Sequence, residues 1–118
     1  MVLIAEDNAN ARQLFARILS ITGHEVLESK DGEEALQLFE QHRVDLLITD
    51  LALPKITGVG LIDQIHQRSP HLPVIIVSAY LSPDEAKILL DEHVEFIPKR
   101  VDRDHLIATV NRLAPAIV

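Results

Sequence analysis

The sequence predicts a single doubly wound α/β domain, a parallel sheet of five strands with five helices on its two faces. Three observations predict it. Short apolar runs alternate with segments of helical periodicity from end to end, the links between runs are too long for hairpins, and capping signals fall at the seams.

The first run, Val2–Ala5, is apolar at every position, as a strand buried on both faces should be. Ala11, Leu14, Phe15, Ile18 and Leu19 then recur at helical spacing, and Gly23 stands where a glycine ends a helix. Residues 26–27 form the second run. Asp31 and Glu34 have capping-box spacing ahead of a helix carrying Ala35, Leu36 and Phe39. The third run, Leu46–Thr49, ends abruptly in Asp50. Gly58 is assigned to a backbone turn before a third helix with Leu61, Ile62 and Ile65. After the fourth run, Val74–Ser78, Ser82 and Glu85 repeat the capping-box spacing with Pro83 at the first helical position. Ala86, Leu89 and Leu90 are the expected inward positions of that fourth helix. Residues 96–97 make a weaker fifth run, and Asp102 is the expected cap of a last helix carrying Leu106, Val110 and Leu113.

At 118 residues, with 47% hydrophobic and 25% charged residues, the chain is expected to be one globular domain, 1–118. The absence of cysteine excludes disulfide and thiol chemistry and fits a reducing compartment. No apolar run approaches membrane-spanning length and no signal peptide precedes the first strand, so a cytoplasmic location without membrane association is expected. A formal net charge of −7 argues against direct nucleic-acid binding by this domain, since duplexes are held through Lys and Arg on their phosphates.

In doubly wound folds, ligands sit beyond the C-terminal ends of the strands. Glu6 and Asp7 follow the first strand, Asp50 the third, Ser78 ends the fourth and Lys99 follows the fifth. If strands one and three are neighbours, three carboxylates meet in one pocket with a hydroxyl and an ammonium at its rim. Such carboxylates repel one another, and a divalent cation with a preference for oxygen ligands, such as Mg²⁺, removes that conflict. The stretch "AEDNAN" also lacks the Gly- or Ser/Thr-rich phosphate loop of a nucleotide site. The Gly58-Val59-Gly60 stretch is no dinucleotide fingerprint, because it follows no strand and lacks a third glycine. The six histidines include no HxxxH pair; His42, His66 and His93 fall near helix C-termini, where a partly cationic ring suits the dipole, and all six are read as structural.

These residues carry a resemblance. Glu6-Asp7, Asp50, Pro54 and Gly58, Ser78-Ala79 and Lys99, in this order and each near a strand end, resemble the motif of the response-regulator receiver domains of two-component signalling. The likeness covers essentially the whole chain. It implies the flavodoxin-like strand order 2-1-3-4-5. It implies that Asp50 is the phosphoacceptor, taking a phosphoryl group from a histidine kinase or a histidine phosphotransfer protein. Glu6, Asp7, Asp50 and the backbone carbonyl of Ala52 would hold Mg²⁺ (or Mn²⁺), while Lys99 and Ser78 would bind phosphoryl oxygens. Ser78 and Phe96 would be the coupled switch residues, altering the face of the fourth helix, fifth strand and fifth helix, residues 82–113. A downstream protein target or an effector domain, and a phosphorylation-dependent dimer, would then read that face. The resemblance implies a phosphoacceptor that catalyses its own phosphorylation and dephosphorylation, not a conventional turnover enzyme.

The chain departs from the family pattern at three places. Arg100 replaces the usual proline after the lysine, so a trans Lys99–Arg100 peptide is expected. Glu92-His93-Val94-Glu95 replaces the small pair before the fifth strand, and Leu53 stands where methionine is usual. Ala52 and Tyr80 are the expected tuners of phosphoryl lifetime, the first offering no polar group to an attacking water, the second bulky enough to shade the site. The altered Lys99-Arg100 segment motivates an alternative function, a degenerate receiver serving as a constitutive protein-interaction module. A dehalogenase-like hydrolase is disfavoured, because Ala52 occupies the place of its second acid.

Overall fold

The computed structural model describes residues 1–116, so the last two residues of the expected 1–118 domain lie outside the described residues. The elements run β1 (Val2–Ala5), α1 (Ala9–Ile21), β2 (Val26–Ser29), α2 (Gly32–Gln41), β3 (Leu46–Thr49), α3 (Gly58–Arg68), β4 (Val74–Ser78), a 3₁₀ helix (Glu85–Leu90), β5 (Val94–Pro98) and α4 (Arg103–Leu113). The five strands form one parallel sheet in the order β2-β1-β3-β4-β5. The predicted architecture is therefore present.

Alternation along each strand divides the core in two. Val2, Ile4, Leu46, Ile48, Ile75, Val77 and Ile97 face Phe15 and Leu19 of α1 and Leu106 and Val110 of α4. Leu3, Ala5, Leu47, Val74, Ile76 and Val94 face Ala35 of α2 and Leu61, Ile62 and Ile65 of α3. Each fully buried Leu or Ile stabilises the fold by roughly 1.5–3 kcal/mol, so both layers hold the sheet firmly. Because both faces are covered, β1 and β3 carry no polar residue except Thr49, as the unbroken apolar runs predicted.

The caps agree with the sequence in chemistry. Asp31 accepts the Glu34 N–H at 2.7 Å, and Asp102 accepts the Asp104 N–H at 3.2 Å. Gly23, just past α1, has φ +94°, the left-handed conformation that glycine adopts without steric cost. Asn8 is the N-cap of α1; its side chain accepts the Ala11 N–H at 2.9 Å.

Three expectations need correction. The fourth helical segment is 3₁₀ and buries none of its residues, and Leu90, expected inward, is 88% exposed. Its reciprocal capping box is complete, with Ser82 N–H to Glu85 Oε1 at 3.0 Å and Glu85 N–H to Ser82 Oγ at 3.1 Å. What it lacks is the buried face that sustains an α-helix. Leu14, on the periodic face of α1, is 54% exposed. Gly58 is needed for close approach and not for a special turn: a Cβ there would lie 2.3 Å from the Asp50 carbonyl oxygen and 2.7 Å from Leu51 Cα. Backbone atoms cannot yield as a flexible side chain can.

Replacing Gly58 with Ala is therefore expected to destabilise the fold by about 1–3 kcal/mol through overpacking. A fall in the urea midpoint at unchanged slope would register it; an unaltered midpoint would contradict the close-approach account.

Candidate functional site

Strand register brings the acids together. Ala5 pairs with Thr49 across β1 and β3, so the residues that follow leave the sheet side by side. The Asp50 N–H donates to the Ala5 carbonyl at 3.0 Å and the Glu6 N–H to the Ser29 carbonyl at 3.0 Å, extending the ladders by one step. Carboxylate oxygens of Glu6, Asp7 and Asp50 lie within 4.8 Å of one another, the one such cluster of metal-ligating side chains among the described residues. Across an octahedral Mg²⁺, oxygens about 2.1 Å from the ion are separated by at most about 4.2 Å, so small side-chain adjustments would let all three hold such an ion directly or through water. The all-oxygen donor set fits Mg²⁺ or Mn²⁺.

Lys99 enters from the far side. Its own N–H donates to the Ser78 carbonyl at 2.9 Å, which continues the β4–β5 ladder and aims the side chain inward. The ammonium donates to Glu6 Oε1 at 2.5 Å and to Asp50 Oδ2 at 2.8 Å. The other Asp50 oxygen, Oδ1, accepts the Leu51 N–H at 2.6 Å and, more weakly, the Ala52 N–H at 3.4 Å. Glu6 is nearly sealed, with its carbonyl held by Arg12 Nη1 at 2.9 Å and Oε2 accepting the Asn8 N–H at 3.3 Å.

The titration directions follow from these contacts. Burial pushes the Glu6 carboxyl above its ordinary value, aided by the Asp50 charge and opposed by Lys99. Burial would also raise Asp50, but the Lys99 hydrogen bond and charge, with the Ala52 and Leu51 N–H groups, outweigh it and lower the pKa. Burial alone would lower Lys99; its bonds to Asp50 and Glu6 reverse the sign and raise it. At neutral pH the ammonium and the Asp50 carboxylate are both charged, ready for a partner.

The Lys99–Arg100 peptide is cis, against the expected trans bond. That expectation rests on the local preference of a bond lacking proline. Whatever its path, the loop delivers the amine to the pocket.

Other predicted residues are placed less directly. The Ser78 hydroxyl donates to the Tyr80 carbonyl at 2.9 Å, with the Tyr80 N–H 3.5 Å from Oγ, so it is engaged in its own turn and not with Asp50. Phe96 is half-buried and packs against the core layer of α2 and α3. Tyr80 is 70% exposed and shades little in this state, and Ala52 is exposed beside Asp50. An apolar cleft of about 360 Å³, lined by Ala11, Leu14, Phe15, Ile18, Lys99 and Val101 among others, adjoins the pocket. The sequence signal for it was Leu14, one apolar position too many for the face that α1 buries.

The profile of the response regulator receiver domain matches residues 2–111. The chain belongs to the receiver family. This receiver is 31% identical over 112 residues to the polar-differentiation response regulator DivK of Brucella anthropi, covering 92% of the chain and 91% of DivK. It is 31% identical over 113 residues to the DNA-binding transcriptional regulator NtrC of Escherichia coli, covering 95% of the chain but 24% of NtrC. A response regulator receiver domain protein from Clostridium thermocellum superposes with a TM-score of 0.86 at 29% identity, over 95% of this chain and 91% of that one. Among the described residues, no helix is long and apolar enough to cross a membrane.

Replacing Lys99 with Met strands two carboxylates that now share one ammonium. In the presence of a chelator this receiver is expected to lose about 2 kcal/mol, less than a fully buried pair because Lys99 is partly solvated. Mg²⁺ should stabilise the variant more than the parent protein, since no ammonium need be displaced; equal Mg²⁺-induced shifts in melting temperature would refute this.

Proposed function

We propose that this receiver accepts a phosphoryl group on Asp50 from the phosphohistidine of a histidine kinase or phosphotransfer protein. The convergence of Lys99 with Glu6 and Asp50, beside Asp7, is the observation that carries the proposal. The Asp50 carboxylate attacks phosphorus, an O–P bond forms, the N–P bond breaks, and its electron pair stays on the donor imidazole. Mg²⁺ held by Glu6, Asp7 and Asp50 with the Ala52 carbonyl, when bound, supplies neutralisation of charge on the phosphoryl oxygens.

This chain's own groups do the rest. The Leu51 and Ala52 N–H groups fix the Asp50 carboxylate against rotation. Lys99 leaves its bridge between the carboxylates for a phosphoryl oxygen, as a mobile point charge can. Ser78 gives up the Tyr80 carbonyl to donate to another oxygen. In this scheme Phe96 follows Ser78, and residues 82–113 alter their surface for a downstream protein target, an effector domain or a second copy. The domain acts as a signalling switch in the cytoplasm and not as a conventional turnover enzyme.

The alternative of a degenerate, constitutive binding module was motivated by the altered Lys99-Arg100 segment. Its motive weakens because Lys99 still reaches both carboxylates.

Incubation with acetyl phosphate and Mg²⁺ should add the mass of one phosphoryl group, and Asp50→Asn should abolish the gain. A parent protein that stays unmodified would favour the constitutive module. Ala52→Asn, which places a polar side chain beside the acyl phosphate, should shorten the phosphoryl half-life several-fold; an equal half-life in that variant would remove Ala52 as a determinant of lifetime.

A further inference from the structure

Away from the acidic pocket, the fold joins two histidines that lie far apart in the chain. His71 sits in the link between α3 and β4, and His93 immediately before β5. His71 Nδ1 and His93 Nε2 are 3.1 Å apart, with ring centroids at 5.1 Å and planes crossed at 72°. Glu92 Oε1 lies 3.6 Å from that same Nε2.

The framework behind these groups is tied down. The Val74 N–H donates to the His93 carbonyl at 2.8 Å, and the His93 N–H donates to Asp91 Oδ1 at 2.8 Å. Asp91 Oδ2 in turn lies 3.4 Å from His66 Nδ1, while His66 Nε2 donates to the Leu72 carbonyl at 2.9 Å. His66 thus braces both links from α3, and the backbone beneath His71 and His93 is fixed by partners other than the two rings.

Around a tetrahedral Zn²⁺ with Zn–N bonds of about 2.0–2.1 Å, neighbouring ligand atoms stand about 3.4 Å apart. The 3.1 Å between the two ring nitrogens is close to that spacing, while Glu92 Oε1, 3.6 Å from His93 Nε2, does not also lie within 4.8 Å of His71 and must turn to join the pair. We propose that His71 Nδ1, His93 Nε2 and the Glu92 carboxylate form a binding site for a divalent transition-metal ion of the Zn²⁺ class, with water completing the coordination. His71 is exposed, so the ion reaches the site from solvent, and the Glu92 side chain, 88% exposed, is free to swing onto it. Imidazole nitrogens favour Zn²⁺, Ni²⁺ or Cu²⁺ over Mg²⁺, whereas the oxygen-only set of Glu6, Asp7 and Asp50 suits Mg²⁺ and is occupied by it when Mg²⁺ is in large excess. The two sites also lie at opposite ends of β5, His93 before it and Lys99 after it. A bound ion would cross-link the starts of β4 and β5 on either side of the 3₁₀ segment.

Isothermal titration of the full chain with zinc chloride, in excess Mg²⁺ so that the oxygen site is filled, tests the proposal. One Zn²⁺ per chain should bind, the melting temperature should rise, and the amide resonances of residues 71 and 93 should shift. His71→Gln and His93→Gln should each weaken binding by about tenfold or more, and Glu92→Gln by less. No zinc uptake in excess Mg²⁺ would overturn the proposal and leave a hydrogen bond between two surface rings. Uptake undiminished in the double variant would overturn it too, by placing the ion elsewhere. Should His93→Gln disturb the β5 start, the exposed His71→Gln variant carries the test alone.

Discussion

One ammonium group makes the pocket possible. Two carboxylates about 4 Å apart near a protein surface repel by on the order of 4 kcal/mol, and Glu6 and Asp50 also lose water on burial. Lys99 compensates both at once, at 2.5 and 2.8 Å. It can do so because the β4–β5 ladder continues one step past the sheet, through the Lys99 N–H and the Ser78 carbonyl. A divalent ion and a phosphoryl group would arrive where charge is already balanced by a group able to step aside.

The pocket separates fixed parts from movable ones. Asp50 is fixed: its backbone continues the β1–β3 ladder, its Oδ1 takes the Leu51 N–H, and Gly58 lets the following loop close against its carbonyl. Ser78 and Lys99 are held through their side chains, Ser78 to the Tyr80 carbonyl and Lys99 to Glu6 and Asp50, and in the proposed scheme a phosphoryl oxygen would take the place of those partners. A fixed acid beside groups that could exchange partners suits the proposed switch, in which a ligand shifts the balance between two states by binding one of them better.

Much of this was legible in the sequence because each strand ends at a chemically distinctive residue. The apolar runs of β1, β3 and β4 marked the strands, and the acids after β1 and β3 with the lysine after β5 marked the pocket once register was known. What escaped was tertiary. Gly58 reads as a turn residue, yet the reason for it is an oxygen from a residue eight positions earlier. Leu14 and Leu90 match helical periodicity, but exposure depends on what covers a face, and periodicity does not report that. The Lys99–Arg100 bond is cis although no proline follows the lysine, and the sequence carries no signal for that. His71 and His93 carry no motif spacing because the sheet, not a helix turn, sets their separation.

The 3₁₀ segment has a consequence for how such a domain diversifies. It is held by a two-residue cap and a few half-buried side chains, among them Ile88 and Leu89, and none of its residues is fully buried. Its free energy of detachment is thus small against that of the whole fold. A substitution on its exposed side, or a protein bound against it, would therefore weigh little on the cooperative scaffold.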